Sequence, residues 1–119
     1  MAKKILWTDL TVADAKDIRD FYSAVVGWTA NPVSMGDYND FNMVADNPDE
    51  PDVGICHARG ANADLPPVWM VYLAVDNLQT ALAEVTERGG KVLKAPTAGG
   101  KYAVIEDPAG AVCALYEST

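Results

Sequence analysis

A segment of this chain recurs 63 residues further on. Trp7 to Val12, then Asp14, then a helical stretch that stops at Gly27, is matched by Met70 to Val75, then Asn77, then a helical stretch that stops at Gly89 and Gly90. Two copies of a small strand-helix-strands unit can curl around one another, and the concave side of the resulting sheet is a ready pocket. The repeat therefore constrains the architecture more tightly than it constrains the occupant of that pocket.

The first copy alternates from residue 4 to residue 12 with the two-residue period of a strand. Leu6, Thr8, Leu10 and Val12 share one side and cover a helix; Trp7, Asp9 and Thr11 share the other. The helix begins at Asp14, whose carboxylate can cap a backbone N–H, with Asp17 three positions on. Ala15, Ile18, Tyr22 and Val25, flanked by Phe21 and Val26, recur at helical spacing as the buried stripe. Gly27 ends it, because glycine tolerates the left-handed conformation beyond a helix.

In the second copy Trp69, Val71, Leu73 and Val75 form the helix-facing side of a strand, and Met70, Tyr72 and Ala74 the opposite side. Asn77 caps a helix striped by Leu78, Ala81, Leu82 and Val85. Each helix leads into a short extended piece, 28–33 or 91–95. Two further strands follow in each half, over 37–44 and 53–59 in the first and 101–106 and 111–117 in the second. Asp107-Pro108-Ala109-Gly110 reads as a tight hairpin. The linker is no longer than a loop, Gly60 to Pro67, so the reading is one domain over 1–119, with modules at about 1–60 and 66–119.

Composition limits the partners. With 119 residues and half of them apolar, the chain can bury its own core. A formal net charge of -8 leaves no basic surface for nucleic acid or an anionic membrane. The longest apolar run, Val68 to Val75, is far short of the roughly 20 residues that a membrane-spanning helix needs. Met1-Ala2-Lys3-Lys4 runs straight into a strand pattern without the apolar core of a leader, so a cytoplasmic location is expected. Cys56 and Cys113 are expected to be reduced rather than bridged.

The strand ending Leu10-Thr11-Val12, Asp14, Phe21-Tyr22, Gly27-Trp28, Val75-Asp76-Asn77, Gly89-Gly90-Lys91-Val92 and Glu106-Asp107-Pro108-Ala109-Gly110 together resemble the vicinal oxygen chelate superfamily of glyoxalases, bleomycin-resistance proteins and extradiol dioxygenases. The resemblance spans essentially the whole chain. It implies an α+β fold in which two βαβββ modules form a cupped, incomplete mixed β-barrel with flanking helices, commonly as a homodimer and often with a divalent metal on the concave face. In the metal enzymes, ligands come from the first and last strand of each module. By motif these positions fall on Trp7, Met70 and Ala114, none of which is a ligand for a hard cation. Pairing Ile55-Cys56-His57 with Val112-Cys113-Ala114 puts the fourth on His57. One remaining ligand does not make a metal site, so no cofactor is expected.

His57 is the only histidine. Strand parity groups it with Ile55 and Arg59, leaving the small residues Gly54, Cys56 and Ala58 for the helix-packed side. On that reading Asp9, His57 and Arg59 face the cavity as orienter, general base and anion clamp, or else as a salt bridge beside a satisfied strand histidine. A one-residue bulge instead turns Cys56 inward as a candidate thiol. Trp7, Met70, Tyr72, Val112 and Tyr116 supply an apolar and aromatic lining of the kind that binds organic molecules, or else plain core. Tyr38 and Tyr102 stand at similar places near the third strands. The acidic loop Asp46 to Asp52 lacks the order of a calcium loop, and Thr97-Ala98-Gly99-Gly100 has the composition of a lid. The expected function is small-molecule binding on the concave face without the usual metal. The alternative is a lyase, isomerase or dioxygenase-type enzyme using His57 as base or a non-standard metal site.

Overall fold

The computed structural model describes residues 4–118; the basic start Met1 to Lys3 lies outside them. Contacts divide the chain into two compact units, Thr8–Trp69 and Met70–Thr119, the latter including the chain start through Trp7. Each is built on the strand-helix-strand-strand-strand plan of the repeat, so the α+β class and the two βαβββ modules are as expected.

The N-terminal unit runs β1 (Ile5–Val12), α1 (Ala15–Val26), β2 (Thr29–Ser34), β3 (Asn39–Val44) and β4 (Val53–His57). Its strands lie in the order β2-β3-β4-β1, antiparallel except for the parallel pair β1 and β4. Asp14 caps α1 by accepting the Asp17 N–H at 3.2 Å, and Gly27 closes it at φ +89°. Ala15, Phe41, Met43 and Ile55 are buried between helix and strands, with Val12, Ile18, Tyr22, Trp28 and Trp69 packed around them. Val25 departs from the predicted stripe. It is 64% exposed, as are Phe21 and Val26 to a lesser degree, because the apolar packing of α1 on its sheet runs through Ala15, Ile18 and Tyr22.

The C-terminal unit contains β5 (Trp69–Val75, from Met70), α2 (Leu78–Glu87), β6 (Lys91–Lys94), β7 (Tyr102–Glu106) and β8 (Val112–Glu117). Its strands repeat the order as β6-β7-β8-β5, with β5 and β8 parallel. The Ala74 N–H also donates to the Lys4 carbonyl at 2.8 Å. Leu78, Leu82, Ala103, Ile105 and Leu115 form the core, with the rest of the α2 stripe, Ala81 and Val85, against them. The double glycine after α2 has two separate reasons. Gly89 adopts φ +92°, and a Cβ on Gly90 would lie 2.9 Å from the Glu106 carbonyl oxygen and 2.9 Å from the Val85 side chain.

Trp69 does not extend the α2 face. Its indole N–H donates to the Tyr22 hydroxyl at 3.1 Å and its ring stands edge-on to Tyr22 and Trp28, so it belongs to the α1 core. The two hairpin readings hold. Asp107 accepts the Ala109 and Ala111 N–H groups inside its hairpin. Asp52 accepts the Ala45 N–H at 2.8 Å and so closes the acidic loop as a hairpin. Thr97–Gly100 is a tight turn closed by the Gly100 N–H on the Thr97 carbonyl. Among the described residues no helix is long and apolar enough to cross a membrane.

Candidate functional site

In the N-terminal unit, register places the residues that face away from α1. Asp9 pairs with Gly54, Thr11 with Cys56, and Asn42 with Gly54, so Asp9, Thr11, Asn42, Gly54 and Cys56 share that face, and Asp40 joins them by alternation. Asp40 is buried, and its carboxylate accepts the His57 backbone N–H at 2.8 Å. The Cys56 thiol is pushed up to about 12, chiefly by burial, then by the negative charges of Asp9 and Asp40 and a hydrogen bond to Asp40. This is the reverse of the electropositive setting that activates a cysteine. At pH 8 a thiol of that pKa holds roughly a thousandfold less thiolate than an ordinary one. Iodoacetamide is therefore expected to leave Cys56 unmodified in the native protein over a period that labels free cysteine fully. Stoichiometric native labelling, read by mass spectrometry, would contradict this environment.

His57 does not share this face with Asp9. Ile55 is completely buried in the α1 core, so alternation along β4 sends His57 to the helix side, where its Nδ1 accepts the Ala15 N–H at 3.5 Å. It borders an open cleft of about 530 Å³ at the start of α1, lined by Asp14, Lys16, Arg19, Asn39 and Phe41 among others. Asp14 is held below the usual carboxylate range, first by the Asp17 N–H that it caps. Arg59 follows the strand, exposed, with its guanidinium over the Tyr38 ring at 4.5 Å, and Tyr38 stands edge-on to His57 at 5.4 Å. The expected trio of Asp9, His57 and Arg59 is thus a stack of Arg59, Tyr38 and His57 that leaves Asp9 out. Small residues suggested the helix side of β4, but the strongest demand for burial came from Ile55.

The repeat explains His57 further. Val12 pairs with His57, and the corresponding Val75 pairs with Glu117. Glu117 Oε1 accepts the Leu78 N–H at 2.8 Å, so in each unit the last residue of the last strand reaches the first N–H of the helix. His57 occupies the place of a helix-anchoring side chain.

In the C-terminal unit the face away from α2 is aromatic. Tyr72 pairs with Ala114, Ala74 with Tyr116, and Tyr116 with Tyr102. Leu73, Cys113 and Leu115 pack toward the helix, so Met70, Tyr72, Tyr102, Val104, Ala114 and Tyr116 point the other way. The Tyr72 and Tyr102 rings lie 6.1 Å apart, tilted by 42°. Lys94 donates from Nζ to the Tyr102 hydroxyl at 2.7 Å and sits over the same ring at 5.0 Å. Trp7, half-buried, is on the same side of β1 as Asp9. Sequence reasoning placed Met70, Tyr72 and Tyr116 together and missed Lys94. A bulge between Val92 and Lys94 shifts the register of this short strand, so parity could not orient it.

The sequence profile of the Glyoxalase/Bleomycin resistance protein/Dioxygenase superfamily matches residues 4–115. The chain belongs to this superfamily. It is 32% identical over 124 aligned positions to the anthracycline biosynthesis protein DnrV of Streptomyces peucetius, covering 92% of this chain and 45% of that protein. To the "Putative glyoxylase CFP32" of Mycobacterium tuberculosis it is 30% identical, covering 94% of this chain and 44% of the relative. It therefore spans less than half the length of these relatives. Among solved structures, the methylmalonyl-CoA epimerase of Mycobacterium tuberculosis superimposes with a TM-score of 0.55 at 13% identity, covering 97% of this chain and 87% of that one. The hypothetical protein BH1468 of Bacillus halodurans C-125 reaches 0.60 at 13% identity, covering 100% and 96%. These likenesses establish the superfamily's fold.

The superfamily's metal positions can now be placed by register. Ala114 pairs with Tyr72, and the repeat partner of Tyr72 is Asp9, which pairs with Gly54. The fourth position is therefore Gly54, and the motif pairing that put it on His57 was out of step by three residues. Trp7, Gly54, Met70 and Ala114 offer an indole, a hydrogen, a buried thioether and a methyl group. This donor set does not fit a hard divalent cation. Among the described residues no three His, Cys, Asp or Glu side chains come together as a metal centre.

Proposed function

We propose that this protein binds a small, flat organic molecule on the face of its C-terminal unit that points away from α2. Trp7, Met70, Tyr72 and Tyr116 serve as the wall, and no resident divalent metal takes part. The observation that carries the reading is the Tyr72 and Tyr102 pair standing on the face opposite the helix-packed core. Aromatic faces of this kind hold planar ligands through burial and stacking. The relative named for anthracycline biosynthesis supports a fused aromatic ring system as the ligand class. His57 has no proton-transfer role on this reading, because its Nδ1 faces the start of α1.

Calorimetric titration with hydroxymethyl-anthraquinone, an uncharged planar probe, tests it. Saturable one-to-one binding is expected, unchanged by a chelator and weakened about tenfold by Tyr72→Ala, the scale of a lost aromatic contact with its buried area. An absence of saturable binding, or binding that appears only when a divalent metal is added, would count against the reading.

A further inference from the structure

We infer that the cleft at the start of α1 is a second binding site, which takes a small phosphate monoester on Lys16, Arg19, Asn39 and His57. None of the residues of the proposed aromatic wall lines this cleft, so the inference stands apart from that reading.

The repeat shows that the fold itself does not call for a cation here. At the offset of 63 residues, Lys16 and Arg19 correspond to Gln79 and Leu82 of α2. Leu82 lies in the core with Ala103, and the counterpart of Ala103 is Phe41, since the two stand opposite the equivalent residues Leu115 and Ile55. Arg19 lays its guanidinium over that Phe41 ring at 4.6 Å. An arginine thus occupies the place of a core leucine, with its side chain only 23% exposed. His57 likewise stands where the other unit has Glu117.

These groups are available to a ligand. Arg19 is held by Phe41 and by one oxygen of the exposed Asp20, which accepts from Nε and from one terminal nitrogen at 2.9 Å. Among the described residues the rest of the guanidinium fork has no hydrogen-bond partner, and neither has the Lys16 ammonium. His57 accepts at Nδ1, so its neutral ring carries a hydrogen on Nε2 as a further donor. The first N–H groups of the helix are not the binding element, because Ala15 and Asp17 already donate to His57 and Asp14. Asp14 is the one acid in the lining, against the two cations Lys16 and Arg19, so the cleft is locally positive in a protein of formal net charge -8. An arginine fork, an ammonium, an imidazole N–H and an amide present more donors than the two oxygens of a carboxylate accept. The three terminal oxygens and larger charge of a phosphate monoester match them. A volume of about 530 Å³ leaves room for the carbon body of the ester beside Ala30 and Pro32.

As the only histidine, His57 gives ring-proton NMR signals that report on this cleft without further assignment. Phenyl phosphate, benzoate and benzyl alcohol are titrated at constant pH and ionic strength, with affinities measured by calorimetry. Phenyl phosphate is expected to move the His57 signals saturably and to bind at least about tenfold more tightly than benzoate, while benzyl alcohol leaves the signals in place. Arg19→Leu and Lys16→Gln give the cleft the residues of the other unit. The first should weaken phenyl phosphate binding at least about tenfold, the scale of hydrogen bonds to a charged group, and the second at least about threefold. Arg88→Gln removes an exposed cation from the C-terminal unit and should change the affinity less than about twofold. An absence of saturable binding, saturation without movement of the His57 signals, or equal affinity for phenyl phosphate and benzoate overturns the site. So does wild-type affinity in Lys16→Gln, or a loss in Arg88→Gln as large as in Arg19→Leu. Lys16 is exposed, so its variant decides the matter even where Arg19→Leu loses the wild-type thermal midpoint.

Discussion

Ile55→Ala is expected to lower the free energy of unfolding by about 2–5 kcal/mol, the range for truncating a buried isoleucine with partial collapse of the cavity. Ile55 is completely buried, and its neighbours in the core are Ala15, Phe41 and Met43, two of them large side chains held by β3. They cannot move into the vacated space without giving up pairing with β2 and β4. Set against a typical total of about 5–15 kcal/mol, this loss is large. Urea unfolding followed by circular dichroism measures it as a fall in midpoint with little change in slope. The result also bears on function, because the side on which Ile55 lies decides the side on which His57 lies. A loss below about 1 kcal/mol would show that Ile55 is not in the core, and His57 would then return to the face of Asp9.

The second large effect separates His57 from its counterpart in the repeat. Glu117→Ala is expected to cost about 1–3 kcal/mol, since it strands the Leu78 N–H at a residue that is 3% exposed. His57→Ala should cost less than about 1 kcal/mol, because its bond to the Ala15 N–H is long at 3.5 Å and little is lost with it. Binding of the planar probe should be unchanged in His57→Ala, whose side chain points to the α1 side of β4. The same denaturation curves, together with a single titration, examine all of this. A histidine variant that keeps its fold but no longer binds the probe would return His57 to the site.

These residues mark where sequence reasoning succeeded and where it stopped. The caps at Asp14 and Asn77, the stop at Gly27 and the hairpin at Asp107 were legible because each depends on bonds among residues a few positions apart. The aromatic grouping of Met70, Tyr72 and Tyr116 was legible because strand alternation is a covalent regularity. His57 was misplaced because alternation divides a strand into two sets of side chains and does not say which set meets the helix. Trp69 belongs to the helix-facing set of β5 as expected, but the helix it meets is α1. Lys94 and Asp40 were missed because their significance lies wholly in partners on other strands, Tyr102 for one and the His57 backbone for the other.

By itself the sequence determined a duplicated α+β chain of the superfamily, with its helices, strands and turns, since the repeat, the periodicities and the capping residues are local properties. Tertiary structure alone decided that the polar residues Asp9, Asp40 and Cys56 share one face, that His57 turns to the helix, and that the fourth of the superfamily's metal positions falls on Gly54 rather than His57. Those outcomes depend on register between strands distant in sequence. Register is settled by the burial of Ile55 and its neighbours, and a single strand carries no record of it.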